Sequence, residues 1–263
     1  MVNKMDFERR FGGVRRLYGD AGLVKLQAAH VVVVGIGGVG SWAVEALARN
    51  AVGTLTLIDL DNVAESNFNR QIHALEANIG KAKVTAMRER IAQINPLCKV
   101  HEIEDFVTQE NINTALGVNI HAASRAVIID ATDDVKAKVA IAAFCKQKGI
   151  PLVICGAAGG RLDLTRVRTA DLAKVKGDRL LAKVRNVLRR DHDFPKGEKS
   201  KFGLTAVFSD EHVIKPEAAC NADASDDTGL TGLSCAGYGS SVSVTATFGF
   251  VCAQLALQKL LAR

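Results

Sequence analysis

Residues 30–40 read HVVVVGIGGVG, with four consecutive valines followed by four glycines within six residues. A short β-branched run of this kind is typical of a strand that is buried on both faces of a parallel sheet. Glycines directly after such a strand permit a tight turn and allow a phosphate to approach the start of the next helix. The stretch therefore predicts a strand, a phosphate-binding turn and a helix.

The same two patterns alternate through the first 160 residues, after a helical pattern between about Asp6 and Gln27. We expect helices at 38–50, 81–94 and 135–148, and strands at 30–34, 54–59, 99–104, 126–131 and 151–156. Strands separated by helices imply right-handed crossovers. The prediction is an α/β fold with a doubly wound, Rossmann-like, mixed but mainly parallel sheet, N-terminal helices and a C-terminal extension.

Length and composition fit one globular domain. The chain has 263 residues, of which 48% are hydrophobic and 24% charged, and this suffices for one large core. We expect a single domain over 1–263, with a nucleotide-binding core at 28–160 and a substrate-binding extension with a C-terminal helix at 161–263. Within the extension, residues 190–238 are rich in Gly, Asp, Ser and Pro. That composition predicts long loops over a binding site.

A long uncharged segment near the C-terminus raises the question of a membrane span. Residues 228–258 contain no Asp, Glu, Lys or Arg, but the first half of the segment is rich in glycine and hydroxyl groups. The apolar part at 242–257 falls short of the ~20 residues that a span needs. We therefore expect a buried helix that suits a subunit interface, and no membrane span.

The cysteines and the N-terminus indicate a cytoplasmic protein. The six cysteines include no C-x-x-C pair, so neither a zinc knuckle nor a disulfide framework is expected, and the thiols should be reduced. The first 13 residues contain no apolar stretch that could serve as a secretory signal.

The polar residues that follow the second expected strand indicate which ligand the turn binds. Asp59 ends that strand about 20 residues after the glycines, where an acidic side chain can hold a ribose hydroxyl. A nicotinamide-dependent dehydrogenase would show the same glycines and the same Asp59. The cluster SNFNRQ at 66–71 comes next, and a dehydrogenase has no obvious use for it.

Three charged residues favour ATP as the nucleotide. Arg70 and Lys83 could stabilise charge while the α-phosphate is attacked and pyrophosphate leaves. Asp133, in the sequence DATDD after the fourth expected strand, could hold Mg²⁺. Each charge alone is typical of a solvated surface, but together they favour a triphosphate site.

Several ordered motifs resemble those of the ThiF/MoeB/HesA adenylating enzymes. The motifs are GIGGVGSWAVEALARNAVGTLTLIDLDNV, SNFNRQIHAL, GKAKV and ATDD. The rest of the chain is similar to the tRNA-modifying dehydratases of that superfamily through RFGGVRRLYG, IPLVICGAAGG, TADLAK and VTATFGF. The chain lacks the paired C-x-x-C zinc site of the branch that activates sulfur carriers.

The resemblance implies a set of site residues. The glycines would line the ATP phosphates, Asp59 would take the ribose, and polar residues would surround the triphosphate and Mg²⁺. The candidate nucleotide-binding residues are Gly35, Gly37, Gly38, Gly40, Asp59, Asp61, Asn67, Arg70, Gln71, Lys83, Thr132 and Asp133. Arg70, Lys83 and Asp133 are the candidate catalytic residues, and Asp133 is the candidate metal ligand. In relatives an arginine from the partner's N-terminal segment reaches the triphosphate, and here Arg10, Arg15 and Arg16 are the candidates.

The resemblance also implies a reaction. The expected function is the ATP-dependent dehydration, by cyclisation, of N6-threonylcarbamoyladenosine in the anticodon loop of tRNA through carboxylate adenylation. The alternatives are an adenylating activator of a ubiquitin-like sulfur-carrier protein, a nicotinamide-dependent oxidoreductase and a nucleotide-sensing RNA-binding module.

The expected partners follow from charge and from the resemblance. The formal net charge is +6, and basic residues cluster at 174–190, where the spacing indicates an amphipathic helix. That segment is the candidate tRNA contact. A homodimer is expected, and a sulfur-relay protein and a monovalent cation stay open. Cys235 could be a thiol nucleophile, but a buried position is favoured.

Overall fold

A computed structural model describes residues 5–120, 125–197, 199–214 and 238–262, with side chains left undescribed at 117–120. The strands are β1 His30–Val34, β2 Thr54–Ile58, β3 Lys99–Ile103, β4 Ala126–Asp130, β5 Leu152–Cys155, β6 Val167–Asp171 and β7 Thr205–Ser209. The helices are α1 Phe7–Gln27, α2 Gly40–Arg49, α3 Lys83–Ile94, α4 Ile112–Ile120, α5 Val135–Lys148, α6 Arg179–Asp191 and α7 Val242–Leu261. Short 3₁₀ turns occupy Glu65–Asn67, Glu76–Asn78, Leu164–Arg166 and Leu172–Lys174.

The strands form one seven-stranded sheet in the order β3-β2-β1-β4-β5-β7-β6. Every pairing is parallel except that of β6 with β7. The chain leaves β1 toward β2 on one side and returns to β4 on the other, so the strand order reverses at β1. Ligands of doubly wound sheets bind beyond the carboxyl ends of the strands at such a reversal. The expected mixed, mainly parallel Rossmann-like sheet is confirmed.

Both faces of the sheet are covered, which explains the unbroken valine run. Val31 and Val33 pack into a core shared with α2, α3 and α7. Val32 and Val34 point to the opposite face, where their core is shared with α4, α5 and α6. Since alternate side chains of a strand point to opposite faces, a strand between two helical layers must be apolar at every position.

Two elements differ from the expectation. Helix α4 was not expected, because INTALGVNI is short and contains weak helix formers such as Asn, Thr and Gly. The expectation of long loops throughout 190–238 is wrong at β7, which pairs with β5 on one side and β6 on the other. Partner strands stabilise β7 in a local context that favours turns. Residues 215–237 of the same stretch lie outside the described residues.

Helix α7 is longer than expected. It has 20 residues and is long and apolar enough to cross a membrane by length and composition, so the argument that its apolar part is too short is wrong. Its packing instead supports the buried helix, because it lies against α2, β4 and β5. Phe248, Cys252 and Ala256 are fully buried in the core of that face. One such helix is weak evidence for a membrane, since core helices pass the same test.

Helix α1 is two helical segments joined at a kink. Gly19 has φ 74° and ψ 171°, a backbone conformation that interrupts the helix. The second segment packs against α7, and Lys25 Nζ donates to the carbonyl oxygen of Leu261 at 2.7 Å. The N-terminal helices thus sit on the same face of the sheet as α7.

Candidate active site

The turn between β1 and α2 requires glycine at two positions. Gly35 has φ +85°, and a Cβ there would lie 2.9 Å from the carbonyl oxygen of Ala131. A Cβ on Gly40 would lie 1.8 Å from the carbonyl oxygen of Gly35. A side chain at either position would therefore disrupt the fold of the turn itself.

Gly37, in contrast, is not needed by the fold. A Cβ on Gly37 would meet only Gln71 Nε2, at 4.0 Å, whereas one on Gly38 would lie 3.2 Å from Arg70 Cγ. The space beside Gly37 is therefore open at the start of α2, where backbone N–H groups and the helix dipole favour an anion. This open side fits the phosphate-binding turn that the sequence predicts.

Asp59 ties the turn to the carboxyl end of β2. Its Oδ2 accepts the N–H of Ile36 at 2.6 Å, and its Oδ1 accepts the N–H of Asp61 at 2.9 Å. The side chain is buried, with 9% of the residue exposed. Burial raises the pKa of Asp59, and the nearby Lys83 ammonium partly opposes that rise. Each carboxylate oxygen still has a lone pair that a ribose hydroxyl could use.

Lys83 opens α3 and points back toward β2. Its Nζ donates to Asp61 Oδ2 at 2.7 Å and lies 3.7 Å from Asp59 Oδ1. The side chain of Lys83 is 6% exposed, while that of Asp61 is 58% exposed. The structure therefore brings Asp59, Asp61 and Lys83 together, as expected of a shared site.

The 66–71 cluster is held in place by its own hydrogen bonds and by α2. Arg70 Nη1 donates to the carbonyl oxygen of Ser66 at 2.6 Å and to Asn69 Oδ1 at 2.9 Å. Trp42 Nε1 donates to the carbonyl oxygen of Arg70 at 2.9 Å. Asn67 is buried, and its Oδ1 accepts the N–H of Ala64 at 3.1 Å. Asn67 thus shapes this loop, and Arg70 lies against Gly38.

Gln71 and His73, which follow Arg70, carry buried polar atoms that have no partner in the described part of the chain. Gln71 Oε1 and both ring nitrogens of His73 make no hydrogen bond to the described residues. Burial, with the charges of Lys83 and Arg90, lowers the pKa of His73 to about 4, so the ring is neutral at neutral pH. The sequence assigned no role to His73. A lone histidine in a polar segment carries no signal, and only its burial reveals its position.

The side chains at and just after the end of β4 differ in whether they bond to the protein itself. The N–H and the hydroxyl of Thr132 donate to Asp130 Oδ1 at 3.0 and 2.8 Å. Asp130 is fully buried and pairs with the buried Lys138, whose Nζ lies 3.1 Å from it. Asp134 caps α5 by accepting the N–H of Ala137. Asp133 is exposed and makes no hydrogen bond or ion pair to a described residue, so of the three acidic residues that follow Ile129 it is the one whose carboxylate is available to a ligand.

A cleft of about 1550 Å³ opens at this edge of the sheet and runs along α5 toward the end of α6. Its upper end is lined by Asp59, Asp61, Thr132 and Asp133. Phe106, which is 56% exposed, contributes an aromatic face to the same cleft. The glycine turn and Arg70 lie beside this cleft, on the side where β1 leads into α2. Lys83 connects them to the cleft, because its Nζ contacts Asp61 and Asp59. The predicted site residues therefore cluster at one edge of the sheet.

The candidate tRNA segment forms α6 and the turn before it. Arg185 Nη1 donates to the carbonyl oxygen of Val175, and Arg189 lies over the ring of Phe202 at 5.4 Å. These two arginines are therefore used inside the protein. Basic residues on the exposed face of the segment are Lys174, Lys176, Arg179, Lys183 and Arg190.

The three N-terminal arginines have different surroundings. Arg10 Nη1 donates to the carbonyl oxygens of Gln93 and Ile94 at 3.3 and 2.9 Å. Arg15 forms ion pairs with Glu8 and Asp20. Arg16 is exposed and forms no ion pair with a described residue. Of the three candidates, Arg16 is the one whose guanidinium has no hydrogen bond or ion pair within the described part of the chain.

The described cysteines are packed within the protein. Cys98, Cys145, Cys155 and Cys252 form no disulfide. Burial raises the pKa of Cys145 above its usual range. Cys220 and Cys235 lie outside the described residues. Within the described parts of the chain, no group of three His, Cys, Asp or Glu residues is arranged to hold a metal ion.

Comparison with known proteins gives a family and close relatives. The ThiF family matches residues 12–263. The tRNA threonylcarbamoyladenosine dehydratase of Escherichia coli is 46% identical over 261 residues, which cover 98% of this chain and 95% of that protein. The dehydratase of Haemophilus influenzae is 44% identical over 259 residues, which cover 97% and 95%.

Solved structures agree with this assignment. The crystal structure of the E. coli dehydratase in complex with ATP has a TM-score of 0.86 and 45% sequence identity, and the match covers 100% of this chain and 98% of that chain. The E. coli dehydratase in complex with AMP has a TM-score of 0.85 and 44% identity, with the same coverage. The chain therefore belongs to the ThiF family, and it resembles tRNA threonylcarbamoyladenosine dehydratases over nearly its whole length.

Proposed function

We propose that this protein is an ATP-dependent, adenylate-forming enzyme that dehydrates and cyclises N6-threonylcarbamoyladenosine in the anticodon loop of tRNA. The observation that carries the proposal is the open side of the turn at Gly37 beside the Asp59, Asp61 and Lys83 cluster. The high identity to two dehydratases supports the substrate. A tRNA substrate would place the reaction in the cytoplasm.

The proposed reaction solves the problem that a carboxylate is a poor electrophile. The threonyl carboxylate oxygen attacks the α-phosphorus of ATP, the bond between the α-phosphorus and the bridging oxygen breaks, and pyrophosphate leaves. The carbamoyl group then attacks the activated acyl carbon and releases one proton to solvent, while the bond from that carbon to the bridging oxygen breaks and AMP leaves with the carboxylate oxygen. Relative to its carboxylic acid form, the nucleoside loses one water in total. Because the two groups belong to one molecule, the second step has a high effective molarity and needs no enzyme nucleophile.

The chain's own cations would stabilise the first step. Lys83 is buried and held by two carboxylates at the edge of the phosphate site, so little reorganisation is needed when it turns to a phosphate oxygen. Arg70 lies against Gly38, with its backbone held by Trp42. We assign both residues to the stabilisation of negative charge on the triphosphate. Asp59 would bind the ribose, and Asp61 would hold the ammonium of Lys83.

The acidic end of the cleft supports a requirement for Mg²⁺. Asp59, Asp61 and Asp133 line the same cavity, and their negative charge would repel a triphosphate unless a cation lay between them. Asp133 would hold Mg²⁺ through its free carboxylate, since this ion is usually bound by one or two carboxylates together with substrate phosphates. When bound, Mg²⁺ would neutralise phosphate charge and favour departure of pyrophosphate. Whether a monovalent cation is also required would be tested by measuring turnover with and without K⁺.

The extension at 161–263 would contact the tRNA, while 28–160 would bind the nucleotide. The exposed basic residues of the 174–190 segment suit phosphates of the RNA backbone. In a homodimer, Arg16 of one protomer would be the arginine that reaches the triphosphate of the other. Its exposure and its lack of an ion pair with described residues support that choice over Arg10 and Arg15.

The decisive experiment uses tRNA from cells that lack this gene. The purified protein is incubated with Mg-ATP and this tRNA, and the released nucleosides are analysed by mass spectrometry. We expect threonylcarbamoyladenosine to lose one water, with AMP and pyrophosphate formed in equal amounts. If the nucleoside mass is unchanged and an added sulfur-carrier protein is adenylated instead, the proposal is wrong and the alternative activity is right. Binding of ATP without its consumption would indicate a nucleotide-sensing RNA-binding module.

A further inference from the structure

A second pocket lies at the opposite end of α2 and α3 from the glycine turn. Its volume is about 430 Å³, and three arginines contribute to its lining. The lining residues are Arg10, Phe11, Arg49, Arg90, Gln93 and Ile94. The first two come from α1, Arg49 ends α2, and the others lie in the last two turns of α3. Among the described residues, no acidic residue lines this pocket.

The pocket carries an excess of positive charge. Among the described residues, the carboxylate that contacts these arginines is that of the buried Glu45. Its oxygens accept from Arg49 Nε at 2.7 Å and from Arg90 Nε and Nη2 at 2.7 and 3.1 Å. A bidentate arginine already satisfies a buried carboxylate, and Arg90 supplies this contact. Arg90 alone neutralises Glu45, so Arg49 leaves the pocket with excess positive charge. The side chain of Arg49 is 59% exposed.

Each arginine keeps donors that its described partners do not use. A guanidinium has five N–H donors. The hydrogen bonds of Arg10 all come from Nη1, and the bond of Arg49 comes from Nε. The C-terminal ends of α2 and α3 would by themselves disfavour an anion. Arg10 offsets this for α3, because it covers the carbonyl oxygens of Gln93 and Ile94.

We propose that this pocket binds a phosphate group of the RNA backbone. Guanidinium forks match the geometry of phosphate oxygens, and three of them line one concave site. Arg90 lies about two turns after Lys83 on α3, which is about 10 Å along the helix axis. One bound tRNA can reach across that distance, so the pocket would hold a backbone phosphate near the nucleotide being modified. This inference rests on the proposed tRNA substrate.

The test compares Arg49→Gln with a matched control on the neighbouring helix. Arg88→Gln removes one positive charge from α3 outside the pocket, where Arg88 pairs with Glu102 at 2.6 Å. Binding of tRNA from cells that lack this gene is measured by fluorescence anisotropy at several salt concentrations. For Arg49→Gln we expect roughly fivefold weaker binding than for the control and a salt slope smaller by about one. Compared with Arg49→Gln, Arg49→Lys should restore the salt slope of tRNA binding more fully than the affinity for tRNA.

Turnover and folding measurements separate a binding role from a general defect. With Arg49→Gln the KM for tRNA should rise while kcat at saturating tRNA stays equal to that of the control, and both variants should melt within a few degrees of the wild type. Equal tRNA affinity for Arg49→Gln and Arg88→Gln would overturn the inference. If the wild type itself binds no tRNA, the proposed function fails instead, and the two failures are thus distinguishable.

A small phosphate ligand is the competing occupant. Equilibrium dialysis with inorganic phosphate, AMP and ATP measures whether Arg49→Gln loses a binding site that the control keeps. Loss of a nucleotide or phosphate site with unchanged tRNA affinity would overturn the assignment to RNA. Competition of inorganic phosphate with tRNA in the wild type, but not in Arg49→Gln, is the result that we expect.

Discussion

The Nζ atom of Lys83 lies 2.7 Å from Oδ2 of Asp61, although the two residues are 22 positions apart in the chain. The same ammonium is 3.7 Å from Oδ1 of Asp59, whose other oxygen holds the N–H of Ile36 in the glycine turn. One buried cation thus connects the end of β2, the start of α3 and the turn after β1. If a triphosphate binds here, the ammonium of Lys83 would replace one of its carboxylate partners with a phosphate oxygen.

Replacement of Lys83 tests this arrangement. Lys83→Gln removes the charge but keeps a polar group, and we expect ATP-dependent turnover to fall at least about a hundredfold, the usual effect of losing a donor that stabilises developing charge. The control is Lys81→Gln, since Lys81 pairs with Glu89 near the surface at 2.6 Å. Turnover of Lys83→Gln within a few-fold of the control would show that Lys83 has no role in phosphate stabilisation.

Arg70 and Trp42 form a second pair for mutation. Arg70→Ala should abolish detectable turnover, because the guanidinium beside Gly38 is lost. Trp42→Phe removes the indole hydrogen bond to the backbone of Arg70 but keeps the charge, so a smaller loss of about tenfold is expected. Single-turnover assays with saturating ATP measure both effects. A larger loss with Trp42→Phe than with Arg70→Ala would contradict this order.

The glycines of the turn should separate folding from ligand binding. Gly40→Ala places a Cβ on the carbonyl oxygen of Gly35, and we expect a loss of several kcal/mol of stability. Gly37→Ala meets no close atom of the described chain, so its thermal midpoint without nucleotide should match the wild type. Its ATP affinity should nevertheless fall, because the methyl group occupies the phosphate side. Titration calorimetry checks the affinity, and unchanged ATP binding would place the phosphates elsewhere.

Asp133 and Asp134 provide a matched test of the metal site. Asp133→Asn should raise the Mg²⁺ concentration for half-maximal turnover about tenfold. Stability should change little, since Asp133 is exposed and makes no hydrogen bond or ion pair with a described residue. Asp134→Asn keeps an N-cap for α5 and should leave the Mg²⁺ dependence unchanged. The measurement is initial rate against Mg²⁺ at fixed ATP. Equal curves for the two variants would remove Asp133 from the metal site.

His73 should make stability depend on pH. Its pKa falls from 6.5 to about 4 in the folded protein, so the unfolded chain binds more protons between these values and stability decreases as the pH is lowered through them. Between pH 7 and pH 5 this group alone should remove about 2 kcal/mol. Urea unfolding of the wild type and of His73→Gln at both pH values isolates the effect. The same loss in both proteins would assign it to other groups.

Local patterns predicted the fold well where the chain determines its own structure. The valine run at 31–34 and the following glycines identify β1 and its turn, since a doubly buried strand must be apolar throughout. The same reasoning failed for β7, whose five residues occur among turn-forming residues and are stabilised by β5 and β6. It also underestimated α7, because Lys259 and the last apolar turn extend the helix past the uncharged segment.

The site was predicted as a set of residues rather than as a set of contacts. Asp59 was expected at the end of β2, and it lies there, but its hydrogen bond to Ile36 could not be foreseen. Asn67 was assigned to the triphosphate, and this stays a prediction; the hydrogen bond that its Oδ1 accepts from the backbone N–H of Ala64 could not be foreseen. Arg185 and Arg189 belong to the basic segment, yet α6 turns them toward a carbonyl oxygen and an aromatic ring.

The sequence by itself determined the alternation of strands and helices from β1 to β5 apart from α4, the glycine turn after β1 and the family, because each of these is encoded in short runs of neighbouring residues. Only the tertiary structure decided which distant groups meet. It paired Lys83 with Asp61, drew Arg49 and Arg90 to Glu45, and buried the ring of His73 without a hydrogen-bond partner among the described residues. The physical reason is that burial and charge pairing depend on how the crossovers stack helices on the sheet, and no local pattern specifies that packing.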